Sequence, residues 1–208
     1  MITFKQTEPD FTDAGLWTPQ TSMLNTLHQW VQACPYHFST ALSIDQNPTL
    51  DQIIRQKWPA LRIRHAIHPE HDVQDLKAFA DDEFDFAYSH QVLEHLPKPW
   101  RAAHELVRIL RPGGVGLHTT CAYNPRHGPP AFNDYYRFLP DGLAALFEGV
   151  DILSKGSWGN RQALLYNLAI DDGHGSLGGR RFHKAVAQPN DENHPWVTWV
   201  MFQKKSSL

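Results

Sequence analysis

Apolar and polar residues alternate along most of this chain with periods that predict strands and helices in turn. From Thr21 to Ala33, residues Met23, Leu24, Leu27, Trp30 and Val31 recur at helical spacing, and Pro35 follows the end. "TALSI" (40–44) is a short apolar run of the kind a buried strand shows. Asn47 and Pro48 then suit an N-cap and first helical residue. Leu50, Ile53, Ile54 and Trp58 fall on one helical face, and Pro59 stops that helix. "LRIRHAI" (61–67) alternates like a strand near a sheet edge, and "DEFDFAYS" (82–89) reads as another strand. In "PWRAAHELVRIL" (99–110), Pro99 opens a helix whose Ala103, Leu106, Val107 and Leu110 form one stripe. "RPGG" (111–114) breaks the chain before the strand "VGLHTT" (115–120). A helix over 141–149 with Gly149 as its C-cap follows, and then strands over 150–158 and 195–205.

Strands that alternate with helices in this way predict a mainly parallel sheet covered on both faces. Residues 1–40 are atypical, polar and irregular at the start, with prolines at 9 and 19. The chain of 208 residues shows no repeat or long linker, so a single domain over 1–208 is the simplest division.

Composition changes this picture little. A net charge of −3 gives no electrostatic footprint for nucleic acid or an anionic membrane surface. No apolar run approaches the roughly 20 residues that span a bilayer, and "MITFKQTEPDF" lacks the layout of a signal peptide. A soluble cytoplasmic protein is the expectation. Nothing in the sequence sets an oligomeric state. Two cysteines, Cys34 and Cys121, make no disulfide framework. The 13 histidines raise the question of metal, but neither His65, His68 and His71 nor His90 and His95 repeat the ligand spacing of a helical zinc motif. No metal site is expected, and a histidine-metal hydrolase ranks behind the readings below. "GHGSLGG" (173–179) is not framed by a strand and a helix as a phosphate loop is, and "RRFHK" (180–184) is a short basic run; both read as surface.

Residues 72–120 carry the chemical signal. In order they give "DVQDL", "DDEFDFAYSHQVLEHL" and "ELVRILRPGGVGLHTT". This ordered set resembles the second half of class I S-adenosylmethionine-dependent methyltransferases, of the subgroup that modifies small molecules and sugars. The resemblance rests on Asp72, Asp75, Leu76, Phe84, Asp85, Leu93, Glu94, His95, Arg108, Leu110, Pro112, Gly113 and Gly114. "HGPPAFNDYYRFLPDGLAALFEG" (127–149) is similar to a segment of the same subgroup.

The resemblance implies a Rossmann-like, doubly wound, mostly parallel seven-stranded sheet with one antiparallel strand, formed by 195–205. It implies S-adenosylmethionine as cofactor and a small-molecule or sugar-type acceptor. Asp72 and the Val73 amide would then meet the adenine, and Ser89 and His90 would stand near the methionine end. Asp45, followed by Gln46, admits two registers. In one, "TALSI" is the first strand and "SIDQNPT" a degenerate glycine loop. In the other, which is favoured, it is the second strand and Asp45 holds the ribose, with a first strand drawn from about residues 11–22. No glycine-rich loop is present in either case. A segment over about 122–140 would face the acceptor, offering Asp134, Tyr135, Tyr136 and Arg137. If the acceptor is a hydroxyl, His90 or His127 would serve as general base near neutral pH. The alternative is a methyltransferase-like binding or scaffold protein without catalysis, a reading that the missing glycine loop favours.

Overall fold

A computed structural model describes residues 16–17, 19–128, 132–169 and 182–206. The main sheet contains strands β2 (Thr40–Ile44), β3 (Arg62–Ala66), β4 (Phe84–His90), β5 (Leu110–Cys121), β6 (Val150–Trp158) and β8 (Val197–Lys204), in the order β3-β2-β4-β5-β8-β6. The first four run parallel, and β8 is antiparallel to both of its neighbours. The antiparallel strand is the one expected over 195–205.

The seven-strand expectation is corrected to six among the described residues. Strand β2 pairs directly with both β3 and β4, so no further strand lies between them. In the stretch meant to supply a first strand, residues 11–15 and 18 lie outside the described residues, and Leu16–Trp17 form β1, which pairs with β7 (Phe182–His183) in a separate two-stranded ribbon. In the doubly wound order the place beside the fourth strand belongs to the first. Strand β2 holds that place here. The register that read it as second, with a first strand upstream in the sheet, is not what the pairing shows.

Helices cover both faces because the strands are apolar on both. Helix α1 (Pro19–Ala33) buries Met23, Leu27, Trp30 and Val31 with Leu50 and Ile54 of α2 (Pro48–Lys57) against Phe86, Tyr88, Leu117 and Met201. On the opposite face, α3 (Pro99–Arg108) and α4 (Pro140–Ala144) pack Ala102, Ala103, Leu106 and Leu143 against Ala87, Val200 and Phe202. Asn47 caps α2 by accepting from the Leu50 amide at 3.0 Å, with Pro48 at the first position, as its sequence predicts. Gly116 of β5 faces the Phe202 ring so closely that any Cβ there would collide with it.

Two boundaries differ from expectation. Helix α4 ends at Ala144, and Gly149 is a separate left-handed residue (φ 70°) at the entry to β6. Helix α5 (Arg161–Ala169) was not expected; Ala163 and Leu164 are buried while the neighbouring Leu165 is exposed, so its apolar residues mark no single face. A short α6 (Lys184–Ala187) follows β7. "GHGSLGG" lies outside the described residues, as do Arg180 and Arg181 of the basic run. Among the described residues, no helix is long and apolar enough to cross a membrane.

Candidate functional site

In an open parallel sheet, ligands bind beyond the carboxyl ends of the strands where the strand order reverses. Here that point lies between β2 and β4. A cavity of about 610 Å³ opens at this edge, and its lining includes Ile44 at the end of β2 and Asp45 after it, Ala66 at the end of β3 with His68, His71, Asp72 and Val73 after it, and Gln91 and Val92 after β4. His95 comes from the 3₁₀ turn Leu93–His95, and Phe132, Asn133 and Tyr135 from the segment between β5 and α4.

The strand ends are strained where they meet the cavity. Four non-glycine residues among those described have positive φ, and three stand at this edge: Asp45 (62°), Gln46 (35°) and Gln91 (57°). Left-handed backbone costs energy for residues with a Cβ, so its clustering marks a site that the surrounding structure holds in place. The Asp45 amide donates to the Ala66 carbonyl at 2.9 Å, and the Gln91 amide to the Thr119 carbonyl at 3.0 Å, which anchors both turns.

Asp45, Asp72 and Val73 all line the cavity. Burial pushes the Asp45 carboxyl up, while the histidines His68 and His95 and a bond from the His68 backbone counter the shift. Asp72 accepts from the Gln74 amide at 2.9 Å and from the Gln74 side chain, an Asx turn that fixes its carboxylate at the rim. Gln46 turns the other way, to a shallow depression shared with Pro48, Asp51, Arg55 and His65.

Of the other expected residues, Ser89, His90, His127, Asp134, Tyr136 and Arg137 are not part of the lining. Ser89 is buried, with its hydroxyl 2.9 Å from His118 Nδ1. His90 places Nδ1 2.8 Å from the Thr119 hydroxyl, and burial pushes its pKa down to about 4. His127 is buried and its amide donates to Asp134 at 2.8 Å. Asp134 and Arg137 face each other: the guanidinium donates to both carboxylate oxygens at 2.5 and 2.6 Å, and to the carbonyls of Asn124, Pro125 and Tyr136. Burial works to raise the Asp134 carboxyl, and the Arg137 fork and the His127 amide override it, holding it low. This clamp seats the loop, together with the Tyr135 and Tyr136 amides that donate to the Glu94 carbonyl. Of the acceptor-side set, Tyr135 lines the cavity, and the Tyr136 hydroxyl donates to the Pro97 carbonyl.

Gln91 and His95 are two polar lining residues that the sequence did not assign to a ligand. The left-handed turn at Gln91 carries its side chain to the cavity, where Nε2 is buried without a hydrogen-bond partner. His95 Nδ1 is 2.7 Å from the Asn133 carbonyl, so it carries the proton and Nε2 keeps a lone pair. Burial lowers the His95 pKa against that bond.

The buried histidines behind the site give a pH dependence. His118 packs against the rings of Phe147 and Phe202, which also touch each other, and burial pushes its pKa down to about 3. Its folded value is below the ordinary 6.5, so the unfolded chain binds the extra proton and the folded one does not. Its contribution is therefore intact above pH 6.5 and is lost as pH falls toward 3. The double variant His118→Phe with Ser89→Ala keeps the stack and removes the titration. Urea unfolding of that variant from pH 6 to 4 is expected to show a slope shallower than wild type by about 1.4 kcal/mol per pH unit. Equal slopes would show that His118 titrates normally.

Comparison with known proteins bears on this geometry. Residues 26–117 match a family described as a methyltransferase domain. An uncharacterized methyltransferase of Mycobacterium avium is 33% identical over 32% of this chain and 38% of its own length. One from Mycobacterium marinum is 33% identical over 27% and 32%. The matched part thus spans about a third of these curated relatives. Among solved structures, the [4+2]-cyclase SpnF covers 100% of this chain and 88% of its own at 16% identity and a TM-score of 0.54. An O-methyltransferase family protein of Burkholderia thailandensis covers 89% and 56% at 11% identity and a TM-score of 0.52. These likenesses show a Rossmann-like fold shared with methyltransferases.

Proposed function

We propose that the cavity binds S-adenosylmethionine and that the protein transfers its methyl group to a small-molecule acceptor. The observation that carries this reading is the convergence of Asp45, Asp72 and Val73 on one cavity where the strand order reverses. With β2 in the first strand's place, the diol role of Asp45 rests on its position in the cavity lining, where an ionised carboxylate is a pure acceptor. Asp72 and the Val73 amide offer an acceptor and a donor side by side, which suits the edge of an adenine. Gln91 Nε2, a buried donor in need of a partner, supplies a further polar contact. Bound S-adenosylmethionine supplies an electrophilic methyl on sulfur. The chain aligns the acceptor and excludes water, with Phe132 and Tyr135 as apolar walls. Where the acceptor is a hydroxyl, His95 is the histidine suited to take its proton, because Asn133 fixes its tautomer and Nε2 is the acceptor.

Calorimetric titration with S-adenosylhomocysteine tests this reading. One site per chain with a dissociation constant in the micromolar range is expected. Absence of heat at millimolar ligand would sink it. The second reading, a binding or scaffold protein without catalysis, is favoured by the missing glycine loop. SpnF, a cyclase by name, has a similar fold, and fold does not select a reaction. Binding of S-adenosylhomocysteine without methyl transfer to any acceptor supports that reading.

A further inference from the structure

Behind the cavity wall, three potential ligands converge from distant parts of the chain. Donor atoms of Glu94, Cys121 and His127 lie within 4.8 Å of one another, and all three residues are buried. Glu94 is fully buried; its Oε2 accepts from the Thr120 hydroxyl at 2.6 Å, and its Oε1 has no hydrogen-bond partner. His95 Nε2, the nitrogen left with a lone pair, lies 4.0 Å from that same oxygen. The His127 ring meets the His95 ring edge-on at 4.9 Å. His127 Nδ1 stands 3.2 Å from the Pro125 carbonyl and 3.4 Å from Asp134 Oδ2, against one donor, Arg137 Nη2, at 3.4 Å. Two acceptors against one donor put the proton on Nδ1 and leave Nε2 as a lone pair.

The centre is thus rich in lone pairs, and the donor that faces Glu94 there is the Cys121 thiol, whose proton a bound metal would displace. A buried carboxylate oxygen without a partner is costly. The Arg137 guanidinium does not relieve it, since its hydrogen bonds go to Asp134, to backbone carbonyls and to His127 Nδ1. A proton on Glu94 would satisfy one group. A divalent cation would satisfy carboxylate, thiolate and imidazole together.

We propose that Glu94, Cys121 and His127 form a binding site for a divalent transition-metal ion of the zinc class. The mixed oxygen, sulfur and nitrogen set is one that zinc takes, with three protein ligands and an open fourth position. Tetrahedral bonds of about 2.0–2.3 Å need donor atoms roughly 3.3–3.8 Å apart, so the cluster closes by about 1 Å on loading. The carbonyls that hold the imidazole Nδ1–H groups of His95 and His127 are the outer partners that metal-bound histidines use. His95, which lines the cavity and touches two of the three residues, marks the route of entry. On binding, the Cys121 thiol releases its proton to solvent and the thiolate takes the ion. The proposal does not depend on S-adenosylmethionine binding.

The test equilibrates the full chain with micromolar Zn²⁺ or Co²⁺, removes free metal and measures bound metal by mass spectrometry. One ion per chain is expected, with a near-ultraviolet thiolate-to-cobalt band in the Co²⁺ form. Cys121→Ser is expected to abolish the band and to weaken affinity beyond the roughly 10–100-fold that loss of an outer partner costs. It leaves S-adenosylhomocysteine titration unchanged. His127→Gln is the second variant should Cys121→Ser not fold. Protein that stays metal-free, a cobalt spectrum indifferent to both variants, or an infrared carboxylic-acid band assigned to Glu94 in metal-equilibrated protein would each overturn the site.

Discussion

Asp45→Asn is expected to weaken S-adenosylhomocysteine binding between about 10- and 100-fold while leaving the fold intact. The carboxylate stands at the cavity rim with both oxygens able to accept, and hydrogen bonds to a charged partner contribute roughly 1.5–3 kcal/mol. Asparagine keeps the shape, loses the charge and exchanges one acceptor for a donor. It is also the cleaner variant, because position 45 is left-handed (φ 62°) and asparagine tolerates that region where alanine does not. Asp45→Gly removes the side chain without backbone strain and should lose at least as much affinity. Calorimetry on the three proteins makes the comparison. Unchanged affinity in both variants would remove Asp45 from the site.

Arg137→Met is expected to destabilise the protein by about 3–5 kcal/mol, the cost of leaving a buried charge without its partner. The Asp134 side chain is only 1% exposed, and the variant leaves it with the His127 amide alone among strong donors. The same change frees the carbonyls of Asn124 and Pro125 that hold the loop down. Arg137→Lys should recover little, since an ammonium cannot supply the planar fork. Asp134→Asn on top of Arg137→Met should recover much of the loss. Urea unfolding measures all three. If these residues instead contact the acceptor directly, the single variants would keep wild-type stability and lose only activity.

Much of the fold was legible because its signals are local. The Asn47-Pro48 cap, the stripe of α3 and the alternation of 61–67 each depend on neighbours a few residues away. Helix α5 was not legible, since its apolar residues share no face. Nor was the pairing of β2 with β4, which depends on what is missing between them. Within the candidate site, Asp45, Asp72 and Val73 were readable as residues that follow strands. Ser89 and His90 are not in the lining, where Gln91 stands on a left-handed turn, and nothing in "SHQ" announces a positive φ. Asp134 and Arg137 look like ligand groups in sequence, but they satisfy each other. The Glu94, Cys121 and His127 cluster joins positions 27 and 6 residues apart through the sheet and the loop, which no spacing rule for a single helix detects.

The most direct measurement of the central claim is a crystal structure of the protein with S-adenosylhomocysteine. The account predicts the nucleoside in the cavity between β2 and β4, with the ribose hydroxyls within hydrogen-bond distance of Asp45 and the adenine edge against Asp72 and the Val73 amide. A nucleoside bound elsewhere, or one seated there without contact to Asp45, would contradict it.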